Sequence, residues 1–345
     1  MLRGGIIGLG NVALHGHLPG WLRRADVRIV AAADPRPAAR AAAMARLPGA
    51  RWHDEPGALL DEPGLDFVDV CAPPATHAAL VGDALARGLH VLCEKPLVTV
   101  ADDLEAVVAL ARDRRRVLHT VHNWRHAPIV RRARGLLEAG AIGRVTTVAW
   151  RTMRLRPAAA GDGEHGNWRV DPRVAGGGVL SDHGWHVFYV VPGWLRAAPT
   201  AIAATLETRR HTAFAVEDTA RVRLAFPDAT ADILLTWAAD TRETRARITG
   251  TAGRIELADD TLMLDGPDGE RRWSCPPGLS DGSAHPEWFH AVAGEFVAAI
   301  RGEADGGANL REARLCAALE ARARESSRRR GEELGVDPFP MGARC

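Results

Sequence analysis

The chain has 345 residues and a mass of 37.1 kDa, a size that predicts two domains at about 150 residues each. Its 44 basic residues against 43 acidic ones leave a net charge of +1, which argues against a nucleic-acid or membrane-surface binder. A hydrophobic content of 46% with 25% charged residues excludes the disordered and fibrous classes.

The first third alternates short apolar runs with longer amphipathic ones, which predicts β-α-β units around a parallel sheet. Strands are expected at Gly4 to Leu9, Arg28 to Ala33, Phe67 to Ala72, His90 to Cys93 and Val117 to Val121. Helices are expected at Asn11 to Arg24, Pro37 to Arg46, Thr76 to Arg87 and Val100 to Arg114. Gly4 to Leu22 lacks Asp, Glu, Lys and Arg, as a leader peptide would, but its glycines and Pro19 fit a strand, a turn and a helix start better.

From residue 144 the apolar period falls to two. Arg144 to Arg154, Ala201 to Thr208, Thr219 to Phe226, Ala231 to Trp237 and Arg245 to Leu257 read as strands of an open, mostly antiparallel sheet. Helical patterns return over Pro286 to Arg301 and Asn309 to Arg324. The pattern predicts an α/β protein, with a doubly wound parallel sheet over residues 1–122 and an α+β domain for substrate binding and self-association over 123–345. Homodimers or homotetramers formed through the open sheet face are expected, because a bare face of that size needs covering. No stretch is long and apolar enough to span a membrane. Cys71, Cys93, Cys275, Cys316 and Cys345 form no C-x-x-C pair and no even framework, so they read as reduced thiols of a soluble, cytoplasmic protein.

Gly8-Leu9-Gly10-Asn11-Val12-Ala13 follows the first strand and opens the first helix, as in the Rossmann dinucleotide fingerprint with its third glycine replaced by alanine. Glycine is needed there because the turn is tight and the backbone must approach a pyrophosphate at the helix N-terminus. Asp34 ends the second strand, 21 residues after Ala13, where a carboxylate holds the adenosine ribose hydroxyls and repels a 2′-phosphate. NAD is the expected cofactor, and Arg36 leaves NADP open.

The basic residues themselves carry a signal. Of the 44, 43 are arginine, and Lys95 is the only lysine. A guanidinium does not release its proton at working pH, whereas an amine can, so position 95 is a candidate for proton chemistry.

Gly8 to Ala13, Ala72-Pro73-Pro74-Ala75-Thr76-His77, Cys93-Glu94-Lys95-Pro96 and Gly176-Gly177-Gly178-Val179-Leu180-Ser181-Asp182-His183-Gly184-Trp185-His186 together resemble the glucose-fructose oxidoreductase, inositol dehydrogenase and MocA family. The resemblance runs from the first strand to the helix at Asn309 to Arg324. It implies that Pro73, Pro74 and His77 edge the nicotinamide half of the cofactor, that Glu94 and Lys95 meet its ribose and ring, and that the Lys95-Pro96 bond is cis. It also implies that Asn123 and Arg125 cross from cofactor to substrate, and that Trp168 and Arg169 reach the cofactor from the second domain.

Asp182, His186 and Tyr189 are spaced i, i+4 and i+7, so a helix presents them along one face. Oxidising a hydroxyl requires a base, and the same group serves as the acid in reduction. Lys95 and His186 are the expected proton-handling pair, and Asp182 orients the substrate or the imidazole. Arg125 and Tyr189 complete the expected substrate contacts, although Tyr189 stands where many members carry an acid and can equally be a packing residue. His183 is expected to be structural or to line the pocket, together with His165 and His285. Asp182, His183, His186 and His165 are metal-ligand types, but the resemblance is to metal-free enzymes and no metal is expected.

These features predict hydride transfer between NAD(P) and a CH-OH or C=O group of a sugar, sugar derivative or cyclitol, a polyol or keto-sugar in size. The competing reading is a sensor that binds NAD(P) without turnover, against which Lys95, Asp182 and His186 argue, since a sensor needs no proton relay. A cofactor-assisted reaction without net redox change, such as glycoside cleavage, also stays open.

Overall fold

The computed structural model describes residues 1–159 and 166–337. The first sheet contains β1 (Leu2–Ile7), β2 (Val27–Ala33), β3 (Arg51–His53), β4 (Phe67–Val70), β5 (His90–Cys93) and β6 (Leu118–Thr120), all parallel, in the order β3-β2-β1-β4-β5-β6. The order reverses between β1 and β4, and in such sheets the crevice at the strand C-termini beside this switch point receives the ligand. Its strands are nearly all apolar because helices cover both faces, and Ile6, Phe67, Val68, Val91 and Leu92 are fully buried.

The expected first helix is two segments: a π-helical turn over Ala13–His17 and then α1 (Leu18–Leu22). α2 (Pro37–Met44), α3 (Pro56–Leu60), α4 (His77–Ala86) and α5 (Ala101–Asp113) follow. The short β3 and α3 carry too few periodic residues to be seen in the sequence. Next come α6 (Pro128–Glu138), α7 (Pro172–Ala175) and α8 (Trp185–Leu195). Proline opens α2, α3, α6 and α7, where its missing N–H and fixed φ cost nothing.

The second sheet is mixed. It contains β7 (Val145–Met153), β8 (Ala201–Glu207), β9 (Thr219–Ala225), β10 (Thr230–Thr236), β11 (Glu243–Gly250), β12 (Gly253–Ala258), β13 (Thr261–Gly266), β14 (Gly269–Ser274) and β15 (Leu334–Gly335). The order is β14-β13-β12-β11-β7-β10-β9-β8-β15, with β7 and β10 parallel and the other pairs antiparallel. The run Arg245 to Leu257, read as one strand, is a hairpin of β11 and β12. β14 escaped notice because it is exposed along nearly its whole length and shows no alternation.

α9 (Pro286–Ile300) and α10 (Gly306–Arg328) complete the chain. α10 lies on β8 and α8, whereas α9 crosses back onto the first sheet. Its stripe of Phe289, Val292 and Phe296 packs on Trp21 and Phe67, with ring centroids 5.5 Å apart for both Trp21–Phe289 and Phe67–Phe296. The first sheet therefore takes part of its cover from residues beyond 122.

The open face of the second sheet differs from the expected bare surface. Arg221, Arg223, Asp232, Arg245, Arg247 and Arg254 are exposed there, and cross-strand pairs such as Arg223–Asp232 at 3.3 Å and Arg247–Glu256 at 2.9 Å lace it. A charged face is stable in water, so the argument from covering carries no weight. Among the described residues no helix is long and apolar enough to cross a membrane.

Candidate active site

The loops leaving β1, β4, β5 and β6 meet the end of β7 and the segments around Trp168, Asp182 and His285 at one cleft of about 1170 Å³, open to solvent.

The loop after β1 is shaped by its glycines. Gly8 has φ +84°, and a Cβ there would lie 2.6 Å from the Ala72 nitrogen, so only glycine lets the β1 and β4 exits touch. A Cβ on Gly10 would meet nothing within 4 Å, which leaves open space over the start of the helix beside Asn11 and Val12. The buried Asp34 carboxylate accepts from the Leu9 N–H at 2.7 Å and from the Arg36 N–H at 2.9 Å. The Arg36 guanidinium folds onto the same carboxylate at 2.8 Å. Burial opposes ionisation of Asp34, but these donors outweigh it and hold the group below the ordinary carboxylate range.

Pro74 lines the cleft and Pro73 is exposed. His77 does not line it. Its ring is buried, with Nδ1 2.7 Å from the Pro96 carbonyl and Nε2 2.8 Å from the Ala72 carbonyl, so it ties two loops together beneath the cleft.

The Lys95-Pro96 bond is cis. Glu94 accepts from its neighbour's backbone, Lys95 N–H, at 2.9 Å, and its other oxygen lies 2.9 Å from His17 Nε2. His17 Nδ1 in turn lies 2.9 Å from Asp69, which also accepts from Trp21 Nε1 at 2.7 Å. Burial disfavours charge on His17, but the two carboxylates more than reverse this and raise it to about 9. His17, Asp69 and Cys71 offer metal-ligand atoms within 4.8 Å of one another. These atoms already contact one another, with Cys71 Sγ 3.0 Å from His17 Nδ1 and 3.5 Å from Asp69 Oδ1. Nothing in the sequence singled out His17.

A second π-helical turn, Leu180–Gly184, runs into α8 and carries Asp182. Lys95 Nζ donates to the Asp182 carbonyl at 2.7 Å and lies 3.4 Å from Oδ1. Burial works against the Asp182 carboxylate, but His183, Lys95 and Arg169 outweigh it and hold the group far below its ordinary range. Burial, then the Lys95 charge and His183, push His186 well below the ordinary imidazole range, so it is neutral at neutral pH. His183 also lines the cleft and is lowered to about 3, chiefly by burial.

Two expected substrate contacts lie elsewhere. Tyr189 sits behind His186, with its oxygen 2.9 Å from Nδ1, and does not line the cleft, because the widened turn and α8 rotate it into the core. Arg125 pairs with Glu312 on α10, away from the cleft. Asn123, Trp168, Arg169 and His285 do line it, and His285 stacks on Trp288 with centroids 3.6 Å apart. His165 lies outside the described residues. Among the described residues, Asn123 Oδ1, Arg169 Nε and His183 Nδ1 are buried without a hydrogen-bond partner. Unpartnered buried polar atoms are costly, and these three belong to residues that line the cleft. Arg154, Arg156 and Arg242 also line it. Sequence reasoning missed them because 43 arginines leave no single one conspicuous.

A doubly wound sheet with a glycine turn, an acidic β2 terminus and a polar cleft at its switch point defines a dinucleotide-binding, two-domain protein of the oxidoreductase type. The chain belongs to the Gfo/Idh/MocA oxidoreductase family: residues 2–122 match its NAD-binding Rossmann-fold domain and residues 130–256 its C-terminal domain. It is 32% identical over 260 residues to a dTDP-3,4-didehydro-2,6-dideoxy-alpha-D-glucose 3-reductase of Streptomyces antibioticus, covering 74% of this chain and 75% of that one. It is 28% identical over 214 residues to a levoglucosan dehydrogenase of Pseudarthrobacter phenanthrenivorans, covering 60% of this chain and 53%, about half, of that one. A levoglucosan dehydrogenase solved with NADH and levoglucosan superposes with a TM-score of 0.84 at 23% identity, over 98% of this chain and 100% of that one. An Agrobacterium radiobacter oxidoreductase in complex with NAD+, L-tartaric acid and magnesium gives 0.83 at 23% identity, over 97% and 98%. These two likenesses establish the fold.

Proposed function

We propose that the protein is an NAD-dependent oxidoreductase that interconverts a carbon-bound hydroxyl and a carbonyl on a sugar, sugar derivative or cyclitol. The observation that carries this is Lys95 Nζ, tied to Asp182 at 2.7 and 3.4 Å inside the same cleft as His186. The sugar reductases and dehydrogenases among the relatives support the substrate class.

Gly8, Leu9, Gly10, Asn11 and Val12 cradle the pyrophosphate, Asp34 accepts from the adenosine ribose, and Glu94, Asn123, Trp168 and Arg169 contact the nicotinamide half. When bound, the nicotinamide accepts or supplies the hydride. The protein moves the proton. An amine held by two bonds to Asp182 keeps both in either protonation state, since its third position is an N–H in one and a lone pair in the other. Lys95 therefore takes the substrate hydroxyl proton, or returns it, without leaving its anchor. Neutral His186 holds the reacting oxygen by hydrogen bonding, and Asp182 fixes Lys95.

The test is absorbance at the reduced-nicotinamide band with NAD and NADP against inositols, hexoses and keto-sugars, alongside Lys95→Arg. Turnover by the parent with its loss in Lys95→Arg, NADH binding being retained, is expected. Wild-type turnover in Lys95→Arg would remove the proton-transfer role, and binding of NADH without turnover of any compound would favour the sensor.

A further inference from the structure

We infer that the substrate carries an acidic group, a carboxylate or a phosphate, that seats against Arg154, Arg156 and Arg242. The inference names the substrate class of the oxidoreductase site and so rests on that reading.

The cleft is unevenly charged. Lys95, Arg154, Arg156, Arg169 and Arg242 line it against two carboxylates, Glu94 and Asp182. Glu94 is matched by protonated His17, and Asp182 already serves Lys95 with Arg169 4.0 Å away. The other three cations make no ion pair with a carboxylate among the described residues, although Asp182 and Asp259 act on Arg154 from farther away. Arg154 is 4% exposed, and its guanidinium donates to the carbonyls of Met153 at 2.8 Å and Glu243 at 2.9 Å and to Thr244 Oγ1 at 3.1 Å. Arg242 donates to the carbonyls of Ser280 at 2.8 Å and Gly282 at 3.3 Å. Arg156, two residues past Arg154, has neither a hydrogen bond nor an ion pair within the described structure. Glu243, the nearest acid in sequence to Arg242, spends its carboxylate on Arg245 at 2.7 Å.

The β7–β11 ladder brings two of these charges together. Glu243 pairs with Met153, so Arg242 and Arg154 stand opposite one another where the ladder ends. Like charges in that position repel. Arg154 is lowered to about 10, by burial first and by Arg242 next. On its exposed face the sheet opposes Arg to Asp in Arg223–Asp232 and Arg254–Asp265, and Arg to Arg in Arg245–Arg151, where both side chains reach water. At the cleft one member of the Arg–Arg pair, Arg154, is buried.

A buried guanidinium such as Arg154 is costly to leave without an anion, the exposed Arg156 and Arg242 reach the same cleft from the solvent side, and the planar fork of each fits a carboxylate or a phosphate. Arg154 and Arg242 are electrostatic neighbours of His183, with Lys95 and Asp182, which puts the acidic group beside the reacting end rather than at the glycine turn. Neutral polyols need no such cluster.

The test uses NADH-loaded protein and calorimetric titration with three probes of one ring: D-glucose, D-glucuronate and D-glucose 6-phosphate. At least one anion is expected to bind about tenfold or more tightly than glucose, the return on one charge-assisted hydrogen bond. The anion that gains distinguishes carboxylate from phosphate. Arg156→Ala and Arg242→Ala, both at exposed side chains, are expected to remove most of that margin and leave NADH affinity unchanged. The inference falls if the three probes bind alike or all fail to bind, or if the margin survives in both variants. It also falls if the variants weaken NADH as much as the anion, because the arginines would then hold the cofactor. Turnover of neutral sugars with no preference for the acids would overturn it and leave the oxidoreductase reading standing.

Discussion

The phenol oxygen of Tyr189 lies 2.9 Å from Nδ1 of His186 and accepts the Trp124 backbone N–H at 3.0 Å. Burial pushes Tyr189 well above the ordinary phenol range, so the proton stays on the oxygen. Its one partner is Nδ1, because the alternative, a second accepted bond, would strand a buried O–H. His186 therefore carries its own proton on Nε2, the nitrogen left for the cleft, and acts there as a donor. Tyr189 is a positioning residue. Tyr189→Phe is expected to lower stability by about 1–3 kcal/mol, since Trp124 N–H and Nδ1 both lose their partner. It is also expected to lower kcat by about tenfold or more, because the imidazole is then free to adopt the wrong tautomer. Denaturant unfolding, steady-state kinetics and an NADH titration check this, and NADH affinity is expected to hold. A full kcat in Tyr189→Phe would mean that the tautomer does not matter.

The Asp69–His17–Glu94 chain makes stability depend on pH above neutrality. The folded state holds the His17 proton up to about pH 9, against an ordinary value of 6.5. The stabilisation is therefore complete below 6.5 and is lost as pH rises through 9. His119 and His183, lowered to about 3, and His90 and His285, lowered to about 4, act in the opposite sense. The unfolded chain binds those protons first, so stability falls as pH drops below 6.5. The expected profile peaks near 6.5. His17→Gln is expected to flatten the alkaline limb by an amount on the order of 3 kcal/mol between pH 6.5 and 9. Urea unfolding across that range measures it, and an unchanged limb would remove the role given to His17.

Legibility tracked how local the signal was. Gly8, Gly10 and Asp34 were readable because a tight turn and a strand end constrain residue type within a few positions. Lys95 stood out because the rest of the chain uses arginine, and Asp182 and His186 because they sit in an unusual glycine-led run. His17 was hidden because its partners, Asp69 and Glu94, are 52 and 77 residues away and meet it only when β1, β4 and β5 stack. Arg154 and Arg242 were hidden for the same reason, since the β7–β11 register that opposes them joins positions 88 apart. Tyr189 was read one helix face too far toward the cleft because the period of 3.6 fails across a π-helical turn.

In the proposed function, cofactor choice hangs on Asp34. Its carboxylate closes the glycine turn through Leu9 N–H and also holds Arg36. Asp34→Ala is expected to narrow the preference for NADH over NADPH, because the repulsion of a 2′-phosphate goes. Fluorescence titration with both reduced cofactors gives the ratio. An unchanged ratio would mean that the ribose is read elsewhere. Loss of the Leu9 bond is expected to cost about 1 kcal/mol of stability in the same variant.

The two fingerprint glycines separate folding from binding. At Gly8 an added methyl meets the Ala72 nitrogen at 2.6 Å and the Cys71 carbonyl carbon at 2.7 Å, and the backbone is at φ +84°. Gly8→Ala is therefore expected to destabilise the apo protein by about 1–3 kcal/mol through backbone strain and overlap. At Gly10 the methyl meets no protein atom within 4 Å, and φ is not positive. Gly10→Ala is expected to leave apo stability unchanged or slightly raised, since it narrows the unfolded ensemble. The methyl then occupies the space above the helix start proposed to hold the pyrophosphate, so NADH affinity is expected to fall by about tenfold or more. Thermal unfolding without ligand and NADH titration of the two variants read these effects separately. If Gly10→Ala binds NADH like the parent, the open space at that turn is not the pyrophosphate site.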